Sequence, residues 1–390
     1  MDYYTRALEL KDETIAHRRY IHQNAEIGLD LPKTTAYVLA QLKSLGIEPE
    51  MCGHGITATI GQGSKTILLR ADMDALPMQE LSGEAFACPS GAAHACGHDF
   101  HAAMLLTAAK MLKENETSLK GTVKLMFQPA EECFSGSTDM IKHGILADPA
   151  PDVALAYHVS PGRLPVGLYM YNSKGTMMNS VDGFKITITG KGCHGAYPHY
   201  GIDPINIGVH IHLALQSLIA REANPNDASV LTIGQFTAGT AANIIPETAV
   251  LQGTLRTDSV ESRKLLLKRI KEVCEQTAQM YNGHVEIETL SAVPPLITDS
   301  VLSKEIASFM QELPIPHLIA KDEVSASASE DFALIAEKIP TAFMFLASGF
   351  MDERGEYPSH HPKALFNEDV CPIGAASLAH SATRWLETHA

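Results

Sequence analysis

The sequence has no apolar run that approaches the roughly 20 residues needed to cross a bilayer, which argues against a membrane-spanning helix. It also lacks an excess of positive charge, because 30 Lys and Arg residues stand against 45 Asp and Glu residues, for a formal net charge of −15. Such a charge argues against nucleic acid or an anionic membrane surface as a partner. The opening segment has no basic stretch followed by an apolar one, so no secretory signal is predicted.

The sequence also lacks the paired cysteine spacing of a disulfide framework. Its seven cysteines are an odd number, which predicts reduced thiols in a cytoplasmic protein. Apolar residues make up 45% of the chain and charged residues 19%, a composition typical of globular proteins. Because 390 residues exceed what one hydrophobic core usually supports, two domains are predicted.

In the first half of the chain, short apolar strands alternate with helical patterns. The strands are predicted at residues 66–69, 123–127 and 153–157, and helices at 100–112 and 137–145. This alternation is typical of an α/β domain with a parallel or mixed sheet covered by helices. In such sheets, functional residues gather at the carboxyl ends of the strands.

The pattern changes near residue 181, where apolar and polar residues begin to alternate with the period of a half-exposed strand. The order of elements that follows is β-α-β-β-α-β, which is typical of a ferredoxin-like domain. We therefore expect a larger α/β domain with a mostly parallel sheet flanked by helices, formed by residues 1–180 and 294–390. Residues 181–293 are predicted to form the inserted ferredoxin-like domain.

The first helix of the inserted segment carries two apolar stripes, and one stripe suffices to cover a sheet. The first stripe is formed by Ile207, Ile211, Leu215 and Leu218. The second is formed by Ile205, Val209 and Leu213. The second stripe either lies buried within its own domain or meets a partner subunit.

Metal-competent side chains are densest between His94 and His101, where Cys96, His98 and Asp99 also lie. Cys96 comes just before a predicted helix, and a helix N-terminus stabilises a thiolate. Thiolate and imidazole together favour zinc or another late first-row metal ion. For any one of these residues alone, a structural role would be the better interpretation, but the cluster predicts a metal site.

Glu131 and Glu132 follow a predicted buried strand, and His158 ends the next one. Of two adjacent carboxylates, one could bind a metal ion while the other acts as a general base on water. The alternative is that they are ordinary acidic residues in the first turn of a helix. His158 would fall on the same edge of the sheet, which favours a shared site.

Two further pairs leave alternatives open. His360 and His361 stand together in a predicted loop, and their spacing alone does not choose between them. Asp72 and Asp74 end a predicted strand. They either orient a metal-bound imidazole or serve as turn residues.

The segments that carry these residues occur in a recognisable order along the chain. They are LRADMDALP, HACGHDFHAAML, FQPAEE, GKGCHGAYPH, AANIIPE, GTLRT, SEDF and HHP. Over essentially its whole length the sequence resembles the amidohydrolase branch of the aminoacylase/carboxypeptidase metallopeptidase family, which includes hippurate hydrolases and N-acyl-amino-acid amidohydrolases. The resemblance implies a metal-dependent enzyme that cleaves the amide bond of N-acyl amino acids (acetyl, benzoyl or similar) to a carboxylate and a free amino acid.

The same resemblance implies two divalent metal ions, zinc in the first place and manganese, cobalt or nickel as alternatives. Cys96 is similar to the ligand that the two ions share. The other implied ligands are His98, Glu132, His158 and His360, the last chosen over His361 because the family's histidine stands two residues before a proline.

The resemblance also implies roles for residues outside the ligand set. Glu131 resembles the general base, and His194 resembles the residue that holds the scissile carbonyl. Asn243 resembles a substrate-binding residue, and Arg256 resembles the partner of the substrate carboxylate, which a guanidinium binds through two hydrogen bonds. Of the two acidic residues that end the strand at 66–69, Asp74 is the one that we expect to orient a metal-bound imidazole.

Two positions depart from the family pattern. Ala25 replaces a usual proline in the segment from His22 to Gly28, a change expected to affect a turn. Cys193 replaces a usual glycine directly before His194, and its thiol is expected to narrow the substrate pocket.

The expected partners are a small-molecule N-acyl amino acid and a second copy of the chain, in a homodimer or a dimer-based oligomer; neither nucleic acid nor a membrane is expected. The nearest alternative function is a dipeptidase or carboxypeptidase with the same two-metal site. A cysteine hydrolase that uses Cys96 and a histidine, and a metal-binding module without catalysis, are more distant alternatives.

Overall fold

The computed structural model describes residues 1–390. The helices are α1 (Tyr3–Glu9), α2 (Lys11–Gln23), α3 (Pro32–Ser44), α4 (His98–Glu114), α5 (Gly136–Lys142), α6 (Pro204–Arg221), α7 (Val260–Met280), α8 (Ser300–Glu312), α9 (Ala333–Ala336) and α10 (Val370–His389). The strands are β1 (Glu50–Cys52), β2 (Gly55–Gly61), β3 (Thr66–Asp72), β4 (Thr122–Gln128), β5 (Val153–Ser160), β6 (Leu168–Met170), β7 (Thr176–Met178), β8 (Val181–Thr189), β9 (Cys193–His194), β10 (Ser229–Ala238), β11 (Ile244–Ile245), β12 (Thr248–Thr257), β13 (His284–Val293), β14 (Leu296–Ile297), β15 (Ile319–Lys321) and β16 (Thr341–Ala347). None of the helices is both long and apolar enough to cross a membrane.

The chain divides into two compact units. The first comprises residues 1–177, 297–325 and 334–390. The second comprises residues 178–296 and 326–333.

The first unit contains an eight-stranded sheet in the order β1-β2-β4-β3-β5-β16-β6-β15. Its four central strands, β4, β3, β5 and β16, run parallel, and antiparallel pairings join β1, β2 and β6 to them. Strands β3, β4 and β16 are buried at every position, because helices cover both faces of a parallel sheet. The predicted mostly parallel sheet flanked by helices is confirmed.

Helix α4 forms the centre of this unit. It packs against α10, and both helices contact β3. Almost every residue of α4 is buried, from His98 in its first turn to Leu112 near its end. The first turn of α4 is therefore held by packing on all sides, and the histidines in it have fixed positions.

The carboxyl ends of the parallel strands bring the predicted site residues to one edge of the sheet. Strand β3 ends at Asp72, β4 ends at Gln128, and β5 ends at Ser160. Since these strands are parallel neighbours, the segments that follow them start at the same edge.

The turn after α2 contains the alanine that replaces the family's proline. Ala25 is buried there, and the next residue, Glu26, accepts hydrogen bonds from the backbone N–H groups of Lys33 and Thr34 at 3.1 and 3.0 Å. Glu26 thereby binds N–H groups at the start of α3 that have no partner within the helix.

The second unit has the predicted β-α-β-β-α-β order, formed by β8, α6, β10, β12, α7 and β13. Its four-stranded sheet is antiparallel in the order β10-β12-β8-β13, the arrangement of a ferredoxin-like domain. The core between the sheet and the two helices includes Ile186, Ile211, Leu251 and Leu266. The prediction of an inserted ferredoxin-like domain is confirmed.

The two stripes of α6 have different surroundings. The stripe from Ile207 to Leu218 is buried against the sheet. In the other stripe Ile205, Val209 and Leu213 are 38%, 44% and 59% exposed. This second stripe is therefore not covered by its own domain.

Candidate metal-binding active site

A sharp turn at the start of α4 joins Cys96 to His98. Gly97 lies between them in the left-handed region, with φ of 94°. A Cβ at this position would lie 2.4 Å from Cγ2 of Val159, so only glycine suits both the backbone and the space.

Two groups of potential ligand atoms share Cys96. One group comprises Cys96, His98 and His158, and the other comprises Cys96, Glu132 and His360. Within each group the ligand atoms all lie within 4.8 Å of one another. Sγ of Cys96 lies 3.4 Å from Nε2 of His158 and 3.3 Å from Nε2 of His360. The structure thus brings together all five residues that the resemblance implies as ligands.

The chemistry of this cluster fits divalent metal ions. Nε2 of His98 is buried without a hydrogen-bond partner in the protein, and it lies 3.9 Å from Oε1 of Glu132, which in turn lies 3.4 Å from Nε2 of His360. Buried polar atoms of this kind are rare unless a bound group satisfies them. Thiolate, imidazole and carboxylate are together the donor set of zinc and other late first-row metal ions.

Backbone carbonyls orient the imidazoles of His98 and His158. Nδ1 of His98 donates to the carbonyl oxygen of Asp74 at 2.9 Å, and Nδ1 of His158 donates to that of Val159 at 2.7 Å. In the neutral form, with the proton on Nδ1, each ring presents the lone pair of Nε2 to the cluster. This is the arrangement in which a neutral imidazole binds a metal ion.

The carboxylate of Asp74 holds the turn that carries the adjacent glutamates. Oδ1 accepts the backbone N–H of Glu131 at 3.0 Å, and Oδ2 accepts that of Glu132 at 3.1 Å. The turn includes Ala130, which has a φ of 54°. Asp74 therefore positions both carboxylates through their backbone, while its own carbonyl orients His98.

Asp72 has a different set of partners, although it lies close to the cluster. Its carboxylate binds Nδ1 of His101 at 2.5 Å and Nη1 of Arg70 at 2.7 Å. Nε2 of His101 accepts the backbone N–H of Val159 at 2.8 Å. Asp72 and His101 are thus engaged in hydrogen bonds that link β3, α4 and β5.

Burial and charge shift the protonation equilibria at the centre. Burial raises the pKa of the Cys96 thiol to about 12, although His98 beside it lowers that pKa. Burial also raises the pKa of Glu132, but His360 and His98 outweigh it, so that the pKa is lowered overall. Glu132 is therefore a carboxylate at neutral pH, whereas Cys96 becomes a thiolate there only beside a cation.

Glu131 lies next to these ligands and, like Glu132, approaches His98, so that His98, Glu131 and Glu132 form a further group of potential ligand atoms. The side chain of Glu131 is buried, and its Oε2 lies 3.9 Å from Nε2 of His98. Glu131 does not belong to either group that contains Cys96. Its carboxylate is thus close to the cluster, where a general base would stand.

Two of the remaining predicted residues lie together in the second unit. Strands β9 and β11 pair so that His194 stands opposite Ile244, and the N–H of Gly195 donates to the carbonyl of Asn243 at 2.8 Å. Nδ1 of His194 accepts the backbone N–H of Ala196 at 3.0 Å. In a neutral ring the proton is therefore on Nε2, which can donate to a substrate oxygen.

Arg256 lies on β12, also in the second unit. Its Nη1 donates to the hydroxyl of Ser329 at 3.0 Å. The structure contains no ion pair between Arg256 and a carboxylate, so an acidic neighbour does not neutralise its charge. The guanidinium can therefore bind an external carboxylate.

The thiol of Cys193 is accommodated within its own loop. Its Sγ lies 3.5 Å from the carbonyl oxygen of Tyr197. A Cβ on Gly201 would approach this sulfur to 2.6 Å, so the glycine makes room for it. Whether Cys193 also narrows a substrate pocket stays a prediction.

A buried ionic network beside the centre was missed by the sequence interpretation. His22 binds Asp99 through Nδ1 at 2.8 Å and Glu80 through Nε2 at 3.0 Å, while Arg18 forms an ion pair with Asp99 at 2.7 Å. Burial opposes the charging of His22, but the carboxylates outweigh it and raise its pKa to about 9. These residues are far apart in the chain, so spacing gave no signal for the network.

Comparison with known proteins identifies a protein family whose model matches most of this chain. The model of the peptidase family M20/M25/M40 matches residues 68–384. An N-acetyl-L-cysteine deacetylase of Bacillus subtilis (strain 168) is 36% identical, over 97% of this chain and 90% of its own length. A hippurate hydrolase of Campylobacter jejuni is 32% identical, over 97% of this chain and 98% of its own length.

A solved structure has a similar fold over nearly the whole chain. The YXEP protein of Bacillus subtilis, described as a dinuclear metal binding peptidase from the M20 family, has a TM-score of 0.82 and is 30% identical. The similarity covers 97% of this chain and 99% of that one.

Proposed function

The chain belongs to the peptidase family M20/M25/M40, and from this premise we propose that it is a metal-dependent amidohydrolase that cleaves N-acyl amino acids. The products are a carboxylate and a free amino acid. The names of the deacetylase and the hippurate hydrolase support an N-acyl amino acid as the substrate class.

The observation that carries this proposal is the pair of ligand groups that share Cys96. We assign two divalent metal ions to them, one held by Cys96, His98 and His158 and the other by Cys96, Glu132 and His360. Zinc is the first choice because of the thiolate, with manganese, cobalt or nickel as alternatives. When bound, such ions polarise an amide carbonyl and lower the pKa of a water molecule.

The protein's own side chains then carry the proton transfers. Glu131 accepts a proton from the attacking water and returns it to the leaving amine. His194 donates from Nε2 to the oxygen on which negative charge develops. Asn243 binds the substrate beside His194, and Arg256 pairs with the substrate's carboxylate.

The proposal also includes a cytoplasmic location and a homodimer. All seven cysteines are free thiols, which supports a reducing compartment such as the cytoplasm. The exposed apolar stripe of α6 supports a dimer, because a helix face of this kind is usually covered by a partner.

A dipeptidase or carboxypeptidase is the second candidate function. The similar structure from Bacillus subtilis is that of a peptidase, which favours this second function. The same metal ligands and the same general base would serve both reactions. The two functions differ in the group on the acyl side of the scissile bond, which is a simple acyl group in one and an amino acid in the other.

The test combines metal analysis with a substrate panel. We expect the purified protein to bind two metal ions per chain and to hydrolyse N-acetyl and N-benzoyl amino acids faster than dipeptides. Glu131→Gln, which keeps the size of the side chain, is the matched inactive control. Preference for dipeptides would support the second candidate, and turnover that resists chelators would favour a cysteine hydrolase. Metal binding without turnover across the panel would favour a module that only binds metal.

A further inference from the structure

The segment between β3 and α4, residues 73–97, contains neither a helix nor a strand. We call it the metal-site loop, since Asp74 lies at its beginning and Cys96 near its end. A bridge between Leu76 and Ala93 closes its base. A loop of this length keeps one conformation only if side chains or neighbouring segments fix it.

The metal-site loop also holds the segment that carries His360. The backbone N–H of His360 donates to the carbonyl of Ala95 at 2.8 Å, and that of Leu81 donates to the carbonyl of Pro362 at 2.8 Å. The side chain of His360 is 51% exposed, so burial does little to fix it. Its position depends on these backbone hydrogen bonds and therefore on the loop.

The two ligand groups consequently differ in their support. His98 lies on α4 and His158 on β5, and both elements belong to the buried core. Cys96 lies on the metal-site loop and belongs to both groups, whereas His360 belongs only to the second group and is held by backbone hydrogen bonds to this loop. A change in the loop should therefore affect the ion held by Cys96, Glu132 and His360 more than the other.

Glu80 fixes the middle of the metal-site loop. Its carboxylate accepts the backbone N–H of Cys88 at 3.0 Å, binds Nε2 of His22 at 3.0 Å and contacts the hydroxyl of Ser82. Through His22 it is tied to Asp99 in the first turn of α4. Glu80 is 9% exposed, so water hardly competes for these bonds.

We propose that Glu80 is a positioning residue for the metal ion held by Cys96, Glu132 and His360. It acts by fixing the metal-site loop against α2 and α4, without contacting metal or substrate. This inference rests on the two-metal centre of the proposed function. Loss of a supporting residue behind metal ligands typically lowers metal affinity 10- to 100-fold, roughly the effect expected here.

The experiment titrates zinc into the metal-free full-length protein against a competing chelator and resolves two binding steps. The variants His158→Ala and His360→Ala assign each step to its ligand group. Glu80→Gln should weaken the step assigned to His360 by roughly 10- to 100-fold and weaken the other step clearly less, because the two ions share only Cys96 of the loop-held ligands. Glu84→Gln, in the same loop but outside the contacts of Glu80, should change neither step.

Ser82→Ala is a second test in case Glu80→Gln fails to fold, since it removes only one contact of Glu80. It should weaken the zinc-binding step assigned to His360, but by a smaller factor than Glu80→Gln does. A purely structural role for Glu80 would lower the stability of the metal-free protein and weaken both steps alike. Equal weakening, or no change in either step, would overturn the inference while leaving the two-metal centre intact. Binding of fewer than two ions by the wild-type protein would overturn both.

Discussion

At the scale of single residues, Glu131 and Glu132 are neighbours in the chain with different surroundings. Glu132 belongs to a ligand group with Cys96 and His360, whereas Glu131 belongs to neither group that contains Cys96. Glu131→Gln should therefore keep both metal ions while turnover falls at least about a hundredfold, the usual effect of losing a positioned base. Metal content and kcat, measured on the same preparation, check this expectation.

Glu132→Gln is the matched variant, since it makes the same chemical change one residue away. It should lower metal occupancy, because a ligand atom is removed from the second group. Near-normal turnover by Glu131→Gln would show that another group is the base.

His360 and His361 form a second adjacent pair whose roles spacing alone could not separate. Nε2 of His360 lies 3.3 Å from Sγ of Cys96. The ring of His361 instead stacks on Tyr357, with centroids 4.2 Å apart. His360→Ala should therefore lower metal content and His361→Ala should not, as measured by metal analysis after gel filtration. The reverse order would remove His360 from the ligand set.

At the scale of helices and strands, the sequence pattern predicted the elements better than their ends. The helix predicted at 100–112 begins at His98, because Gly97 sets the turn and the polar His98 and Asp99 lie in the first helical turn. The helix predicted at 137–145 ends at Lys142, close to Gly144, whose φ is 90°. The spacing of apolar residues gives no information on such local backbone geometry, so it does not predict where a helix begins or ends.

The network of Arg18, His22, Glu80 and Asp99 could not be predicted in this way. It joins α2, the metal-site loop and α4, and its members approach one another only through tertiary packing. Each of these residues alone is an ordinary polar residue in the sequence. By contrast, the family resemblance named in advance the five residues that the structure brings together in the two groups that contain Cys96.

This network should make stability depend on pH. The pKa of His22 is raised to about 9 in the folded protein, from 6.5 as its ordinary value. A raised histidine pKa stabilises the folded state fully below the unfolded value and loses that contribution as pH rises through the folded value. The free energy of unfolding of the metal-free protein should therefore fall between about pH 6.5 and pH 9, by up to about 3 kcal/mol.

Urea unfolding at a series of pH values measures this fall. His22→Gln is the control, since glutamine does not titrate and the slope in this range should flatten. An equal slope in the wild type and in His22→Gln would assign the pH dependence to other groups.

A further prediction is that the exposed stripe of helix α6 forms the interface of a dimer. Leu213→Glu places a charge in this stripe, where Leu213 is 59% exposed. If a second copy covers this stripe, the charge would be buried without a partner, and the dimer should dissociate to monomers. Light scattering after gel filtration measures the mass.

Leu265→Glu is the matched control, since Leu265 is an exposed leucine on the other helix, α7. It should leave the dimer intact. A wild-type protein that is already monomeric, or a Leu213→Glu variant that stays dimeric, would show that the stripe is not the interface.

At the scale of the whole molecule, the change of pattern near residue 181 predicted an inserted domain, and its bounds at 181–293 stay a prediction. The segment 326–333 groups with the second unit although it lies far away in the chain. Backbone bonds from Asn179 to Ala326 and Ala328 hold it there. Contacts of this kind leave no periodic signal in the sequence.

The proposed function requires the second unit to contribute to substrate binding, and Arg256 tests that requirement. If Arg256 pairs with the substrate carboxylate, esterifying that carboxylate should cost at least about 2 kcal/mol in kcat/KM, or roughly 30-fold. Arg256→Ala should lose a similar factor with the free acid and little more with the ester. Steady-state rates on matched acid and ester substrates measure both effects.

Lys185→Ala is the control for this last prediction, because Lys185 is a cation on β8, a neighbouring strand, but already pairs with Glu288 at 3.2 Å. Its removal should leave the discrimination between acid and ester unchanged. Arg256 differs from Lys185 in having no carboxylate partner of its own, and this difference is the reason to expect a role in binding. Equal discrimination by the wild type and Arg256→Ala would mean that Arg256 serves only its hydrogen bonds to Ser327 and Ser329. The substrate carboxylate would then be recognised by another group.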